Sequence, residues 1–203
     1  MIENTEKTRL TDRNRMAILA AGVSQFQENG FDGTSMDRIA ETADVSKRTV
    51  YNHFPSKESL FLAIVEELGQ RCGEMECPYS STEPLENQLL EIAKGYAEKV
   101  TNEDFVKLSR VVISRLIQVP ELGNSIRDKN EFQFAIVDWI KSAKKDGRLE
   151  VANVEQAATQ FTTLIKAFAF WPQLLSNEPP PTKRELSRIA KGAVEMFLSH
   201  YGK

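Results

Sequence analysis

Hydrophobic residues along this 203-residue chain recur at intervals of three and four, the period of a helix with one buried face. No stretch alternates apolar and polar residues as a half-buried strand would. The first helix is expected to begin near Thr11 or Asp12, both good N-caps. Its apolar face is Ile18, Leu19, Ala21, Val23 and Phe26, and it stops at Asn29-Gly30, where glycine accepts the left-handed backbone of a helix end. Residues 1–10 read as a disordered polar tail. Thr34-Ser35-Met36-Asp37 has the spacing of a capping box. A second helix therefore starts at about Ser35, with Met36, Ile39, Ala40 and Ala43 inward. Asp44-Val45 makes a turn, and Ser46 caps a third helix, Lys47 to about His53, with Val50 and Phe54 inward.

The same period continues to the end of the chain. Ser56 caps a helix that runs through Leu60, Phe61, Ile64, Val65 and Leu68 to about Cys72. A loop containing Pro78 and Pro84 follows it. Further helices are expected at Leu85–Val100, Glu103–Val119, Glu121–Asp146, Val154–Leu175 and Lys183–Tyr201, broken by Pro120, Gly147 and the run Pro179-Pro180-Pro181. Helices in the middle of the chain are apolar on more than one side, which suits the interior of a bundle or the wall of a cavity. The expected fold is all-α with about nine helices. A three-helix helix-turn-helix domain (1–60) is joined by a connecting helix to a C-terminal helical bundle (61–203).

Composition narrows the function. A hydrophobic fraction of 41% and a charged fraction of 27% are ordinary for a soluble globular protein. No apolar run approaches the roughly 18 residues of a membrane span, and the polar N-terminus lacks the apolar core of a secretory signal. A cytoplasmic protein with no membrane partner is expected. Two cysteines, Cys72 and Cys77, are too few for a disulfide scaffold and read as free thiols. Neither His53 nor His200 completes a metal-ligand pattern. There is no nucleophile–base constellation and no phosphate loop, so neither an enzyme nor a bound cofactor is expected.

A net charge of −3 is unusual for a nucleic-acid binder. The distribution of charge matters more. Between Ser46 and Lys57 lie Lys47, Arg48 and Lys57 and no carboxylate. A major groove admits one helix, whose N-terminal turn reads base edges. Lys47 and Arg48 can donate to guanine acceptors, and Thr49 can meet a thymine methyl group or a phosphate. Tyr51, His53 and Lys57 carry donors suited to flanking phosphates.

Thr34-Ser35-Met36, Ile39-Ala40, Ala43, Val45-Ser46, Thr49-Val50-Tyr51, His53-Phe54 and Ser56-Lys57-Glu58 together resemble the signature of the TetR/AcrR transcriptional regulators over residues 13–65. Two positions depart from it. Asp44 stands where the family usually has glycine, but aspartate tolerates the left-handed region better than most residues. Lys47-Arg48 replaces a smaller pair and lengthens the reach of the third helix.

The resemblance implies DNA-contacting positions at Ser35, Lys47, Arg48, Thr49, Tyr51, His53 and Lys57. Base reading is expected from Lys47, Arg48 and Thr49, and backbone contacts from the others. It also implies a homodimer formed through the last two helices, a double-stranded DNA operator, and a small-molecule effector that releases DNA. Candidate effector-lining residues are Phe105, Leu108, Val112, Leu116, Phe132, Trp139, Phe168 and Trp171, an aromatic-rich set that suits an apolar or aromatic molecule. Arg110 and Arg115, on the same helix as part of that set, are candidate counter-charges for an effector carboxylate. Any one of these residues is more often plain core. The alternative is a same-fold DNA-binding protein of architectural or division-control type that takes no effector.

Overall fold

A computed structural model describes residues 2–73, 75–123 and 131–203, and the side chains of 11–69, 75–123 and 135–203. Its helices are α1 (Ile2–Gly33), α2 (Met36–Thr42), α3 (Lys47–His53), α4 (Lys57–Gly73), α5 (Leu85–Val100), α6 (Glu103–Gln118), α7 (Glu131–Lys145), α8 (Val154–Ala169), α9 (Trp171–Ser176) and α10 (Lys183–Tyr201), with a 3₁₀ turn at Pro120–Leu122. Apart from an isolated antiparallel bridge between Leu149 and Gly202, no strand occurs among the described residues. The expected all-α class holds. None of the described helices is long and apolar enough to cross a membrane.

Packing separates the chain into two compact units, Met1–Leu68 with Lys107–Ile126, and Gly69–Val106 with Arg127–Lys203. A division at residue 60 leaves Lys107–Ile126 with the second domain, whereas these residues pack in the first unit. Leu108, Val111 and Val112 of α6 are buried with Ile18, Phe26, Ile39, Val50, Phe54, Leu60 and Ile64 in one apolar cluster. This cluster accounts for one apolar face of α6. The Gln27 side-chain amide adds a hydrogen bond to Lys107 O at 2.9 Å.

α1 begins at Ile2, ahead of the start expected at Thr11 or Asp12 and through the segment expected to be a disordered tail. No glycine or proline interrupts residues 2–21, so nothing local stops the helix from extending backwards. Its regular backbone breaks where expected. Gly30 takes φ 71° and ψ 172°, a region open essentially to glycine alone, and Phe31 turns back to stack on Phe26 with ring centroids 5.2 Å apart.

In the second unit α10 packs on α5 and α8, and α7 and α9 also lie against α8. Leu89, Ala93, Ile136, Trp139, Ile140, Phe161, Ile165, Ala190 and Phe197 are buried, with the Phe161 and Phe197 rings edge to face at 5.2 Å. Gly147, at φ 72°, ends α7 as expected. Its N–H donates to Lys144 O and that of Arg148 to Ala143 O, both at 3.0 Å, the pattern of a Schellman close. α10 begins at Lys183 as expected, capped by Thr182, which exchanges hydrogen bonds with Glu185.

Two helix boundaries differ from expectation. Of the helix expected over Glu121–Asp146, Pro120–Leu122 forms a 3₁₀ turn at its start and Glu131–Lys145 forms α7, while residues 124–130 lie outside the described residues. The helix expected over Val154–Leu175 is two, α8 and α9, divided at Phe170. Pro172 has no N–H to give to the Phe168 carbonyl, so the hydrogen-bond ladder cannot run through it. With the division at Phe170 the described α-helices number ten rather than the expected nine or so.

Gly30→Ala is expected to lower the unfolding free energy by about 2 kcal/mol, read from urea titration. A Cβ at Gly30 would meet no atom within 4 Å, so the loss is conformational rather than steric.

Candidate nucleic-acid interface

The site is built from α2, the turn after it and α3. Thr34 and Asp37 do not form the expected capping box. Thr34, buried, has its hydroxyl 2.7 Å from Gly30 O and 2.9 Å from Gln25 O, so it closes the end of α1. Ser35 is the N-cap of α2, its Oγ accepting from Arg38 N–H at 3.2 Å. A hydroxyl so close to the carbonyls that α1 leaves open is drawn to them first, and the neighbouring serine takes over the cap.

The turn survives its aspartate. Asp44 sits at φ 52°, and its N–H donates to Glu41 O at 3.2 Å while Val45 N–H donates to Ala40 O at 3.1 Å. Ser46 caps α3, accepting from Thr49 N–H at 3.1 Å and lying 2.8 Å from the Thr49 hydroxyl. Val50 and Phe54 are buried, and the Arg15 guanidinium lies 5.3 Å from the centre of the Phe54 ring. α3 is thus pinned by its inner face and its cap.

The outer face carries Lys47, Arg48, Tyr51 and Asn52, all exposed, with Thr49 and His53 half-buried beside them. Asn52 belongs to this face by helical spacing and adds an amide that pairs well with adenine edges. The Lys47 ammonium is 2.6 Å from an Asp37 carboxylate oxygen. Its hydrogen bond to Asp37, and then the charge of Asp37, raise the lysine above its ordinary pKa. Ser35 is exposed at the start of α2.

Lys57 is placed differently from the others. Its ammonium donates to Phe31 O at 2.6 Å, Thr34 O at 3.0 Å and Asp32 O at 3.4 Å. It also lies 4.6 Å from the Phe31 ring centre. The Arg115 guanidinium stands 4.0 Å from the same ring centre and 3.5 Å from the Asp32 carboxylate. Arg115, a candidate counter-charge for an effector, is therefore engaged within the first unit. Sequence spacing held no sign of this contact, because Arg115 and Phe31 lie far apart along the chain.

The expected effector-lining residues fall into separate environments. Leu108 and Val112 are buried in the core of the first unit, and Leu116 packs against it. Phe105 meets Phe170 edge to face at 5.8 Å. Trp139 is buried in the second unit, its indole N–H donating to Gln88 Oε1 at 3.2 Å. Phe168, 65% exposed, and Trp171 lie at the surface, and the Phe132 side chain is outside the described residues. Phe168 instead flanks an open groove of about 650 Å³ between α8 and α10, lined also by Leu164, Ile189, Gly192 and Met196.

Residues 18–64 match the family model described as "Bacterial regulatory proteins, tetR family". Residues 87–203 match "AefR-like transcriptional repressor, C-terminal domain". The crystal structure of a TetR family transcriptional regulator from Pseudomonas syringae pv. tomato str. DC3000 is 40% identical and superposes with a TM-score of 0.84, covering 93% of this chain and 96% of that one. The structure of the flavonoid-responsive regulator FrrA shares the fold at 23% identity and a TM-score of 0.75, covering 94% of this chain and 98% of that one. The HTH-type transcriptional regulator RutR of Escherichia coli (strain K12) is 38% identical over 63 residues, 31% of this chain and 30% of RutR, so this match spans under a third of that relative's length.

Lys57→Met removes a charged donor from three carbonyls and is expected to cost about 2 kcal/mol of stability, read by circular dichroism in urea. Unchanged stability would show that the ammonium does not brace the loop at Phe31.

Proposed function

The chain belongs to the TetR family of bacterial DNA-binding transcriptional regulators, and we propose that it is a homodimeric repressor of a palindromic operator, released by a small apolar or aromatic effector. The observation that carries the DNA assignment is the outer face of α3, where exposed Lys47 and Arg48 sit at the N-terminal end of a helix held by Ser46, Val50 and Phe54. In this reading Lys47, Arg48 and Thr49 meet base edges in the major groove. Ser35, Tyr51 and His53 meet phosphates and set the register. Lys57 serves the interface by holding the loop that precedes α2.

Dimerisation supports the palindrome, because a two-fold protein reads two half-sites in opposite orientation. The groove between α8 and α10 supports the dimer. Phe168, 65% exposed, and Met196, 60% exposed, flank it with Leu164 and Ile189. Apolar side chains left so open on adjoining helices suit a partner's matching face. The effector rests on less. FrrA is flavonoid-responsive by name, and Phe105 and Trp139 supply aromatic surface inside the second unit. An effector acts by preferring one separation of the two recognition helices, and α4, which begins beside α3, is the covalent link. A regulator without an effector is the second reading, favoured by the burial of Leu108 and Val112 in the core of the first unit. Thermal shifts against a panel of flavonoids and other aromatic compounds separate the two.

Selection from random duplex DNA is expected to return a near-palindrome. A Lys47→Ala/Arg48→Ala double variant is expected to lose at least about tenfold in affinity for that sequence. Undiminished operator protection by the double variant would remove these residues from base reading. Phe168→Glu is expected to yield a monomer in sedimentation velocity, and a persistent dimer would move the interface elsewhere.

A further inference from the structure

A carboxylate on a surface that approaches DNA is repelled by every phosphate it nears. Asp37 is such a group, half-exposed on α2. It is not needed to cap its helix, because Ser35 does that. Near the start of α2 it gains from the helix dipole, an effect of a few tenths of a kcal/mol up to about 1 that a glutamate elsewhere in the first turn would supply as well. Its distinctive contact is with Lys47. The carboxylate oxygen and the ammonium nitrogen are 2.6 Å apart, within reach of a charge-assisted hydrogen bond. The pair joins the first turn of α2 to the first turn of α3 across the Asp44 bend. Arg48, next to Lys47, is exposed and has no ion-pair partner among the described residues. The two adjacent cations of α3 are therefore unequal: one is tethered and one is free.

A free lysine on a flexible stem pairs readily with any phosphate, which strengthens binding to all DNA alike. A lysine held by a carboxylate has a smaller set of positions and part of its charge already balanced. It gains less from a passing phosphate and keeps its remaining donors for a base acceptor at one place. We propose that Asp37 is a specificity-determining residue: it holds Lys47 away from indiscriminate phosphate pairing and aims it at one base position, leaving Arg48 as the untethered cation. This rests on the reading that α3 enters the major groove. The upward shift of the Lys47 pKa has the hydrogen bond to Asp37 as its first cause, in agreement with the geometry.

The test compares the full-length protein with Asp37→Asn, which keeps side-chain size and polarity and removes the charge. Fluorescence anisotropy measures binding to the selected operator and to a random duplex of equal length across a range of salt. Asp37→Asn is expected to bind random DNA about three- to tenfold more tightly, with a salt slope steeper by about one. Operator affinity is expected to change little, so that the operator-to-random ratio falls by a similar factor. In a Lys47→Gln background the same substitution is expected to leave the ratio unchanged, and Asp37→Glu, which retains the charge, to restore most of it. Thermal melts of each variant establish that the fold is retained.

Equal tightening on both DNAs would overturn the proposal and reduce Asp37 to a repulsive charge. A fall in the ratio that persists without Lys47 would overturn it too. Wild-type protein that failed to prefer its selected operator would overturn the groove reading itself, before any variant was compared.

Discussion

The ring of Phe31 is where the first unit is tied together. It stacks on Phe26 of α1 and meets Phe61 of α4 edge to face at 5.8 Å. The cations of Lys57 and Arg115 lie 4.6 and 4.0 Å from its centre. Each such contact contributes on the order of 1 kcal/mol, but the geometry matters more than the sum. Lys57 also takes the carbonyls of residues 31, 32 and 34, in the segment between the Gly30 break and the start of α2. The backbone leading into Ser35 is thereby fixed, Ser35 starts α2, and α2 sets the turn that aims α3. The side chains of Lys47 and Arg48 are exposed, so their placement depends on this buried scaffold.

The acidic total of the chain is compatible with DNA binding because charge acts locally. At physiological salt a charge is screened beyond about 8 Å, so a carboxylate farther than that from the outer face of α3 contributes little there. What counts is the absence of carboxylates from Ser46 to Lys57 and the balancing of Lys47 by one carboxylate brought from α2.

Legibility followed the range of the interactions. The helical class, the Gly30 and Gly147 stops, the Ser46 and Ser56 caps and the inward Val50–Phe54 pair depend on residues within a few positions of one another, and the pattern of the chain shows them. The left-handed Asp44 was legible too, because its side chain is one of few that bear that backbone. Thr34 was misread although local, since two acceptors from the end of α1 compete with the cap and only the fold shows which wins. The break at Pro172 was readable from proline chemistry and was missed under a strong apolar period on either side. Lys57, Arg115 and the Asp37–Lys47 pair were not legible as partners. A charged residue announces that it can pair, but not with whom. The same limit governed Leu108, Val112 and Leu116, whose apolar period is identical whether they face a cavity or the core of the first unit.

The share of α6 in that core bears on how such regulators diversify. Lys107–Ile126 packs with Met1–Leu68, so the DNA-binding unit is continuous in space but split in the chain. An exchange of genes at the end of α3 or within α4 would bring in a foreign α6 and set Ile18, Ile39 and Val50 against side chains that did not evolve beside them. The reading head is thus not a cassette that can be cut at one point. Its specificity and the bundle it serves are inherited together, and α6 is the segment that must change in step with both.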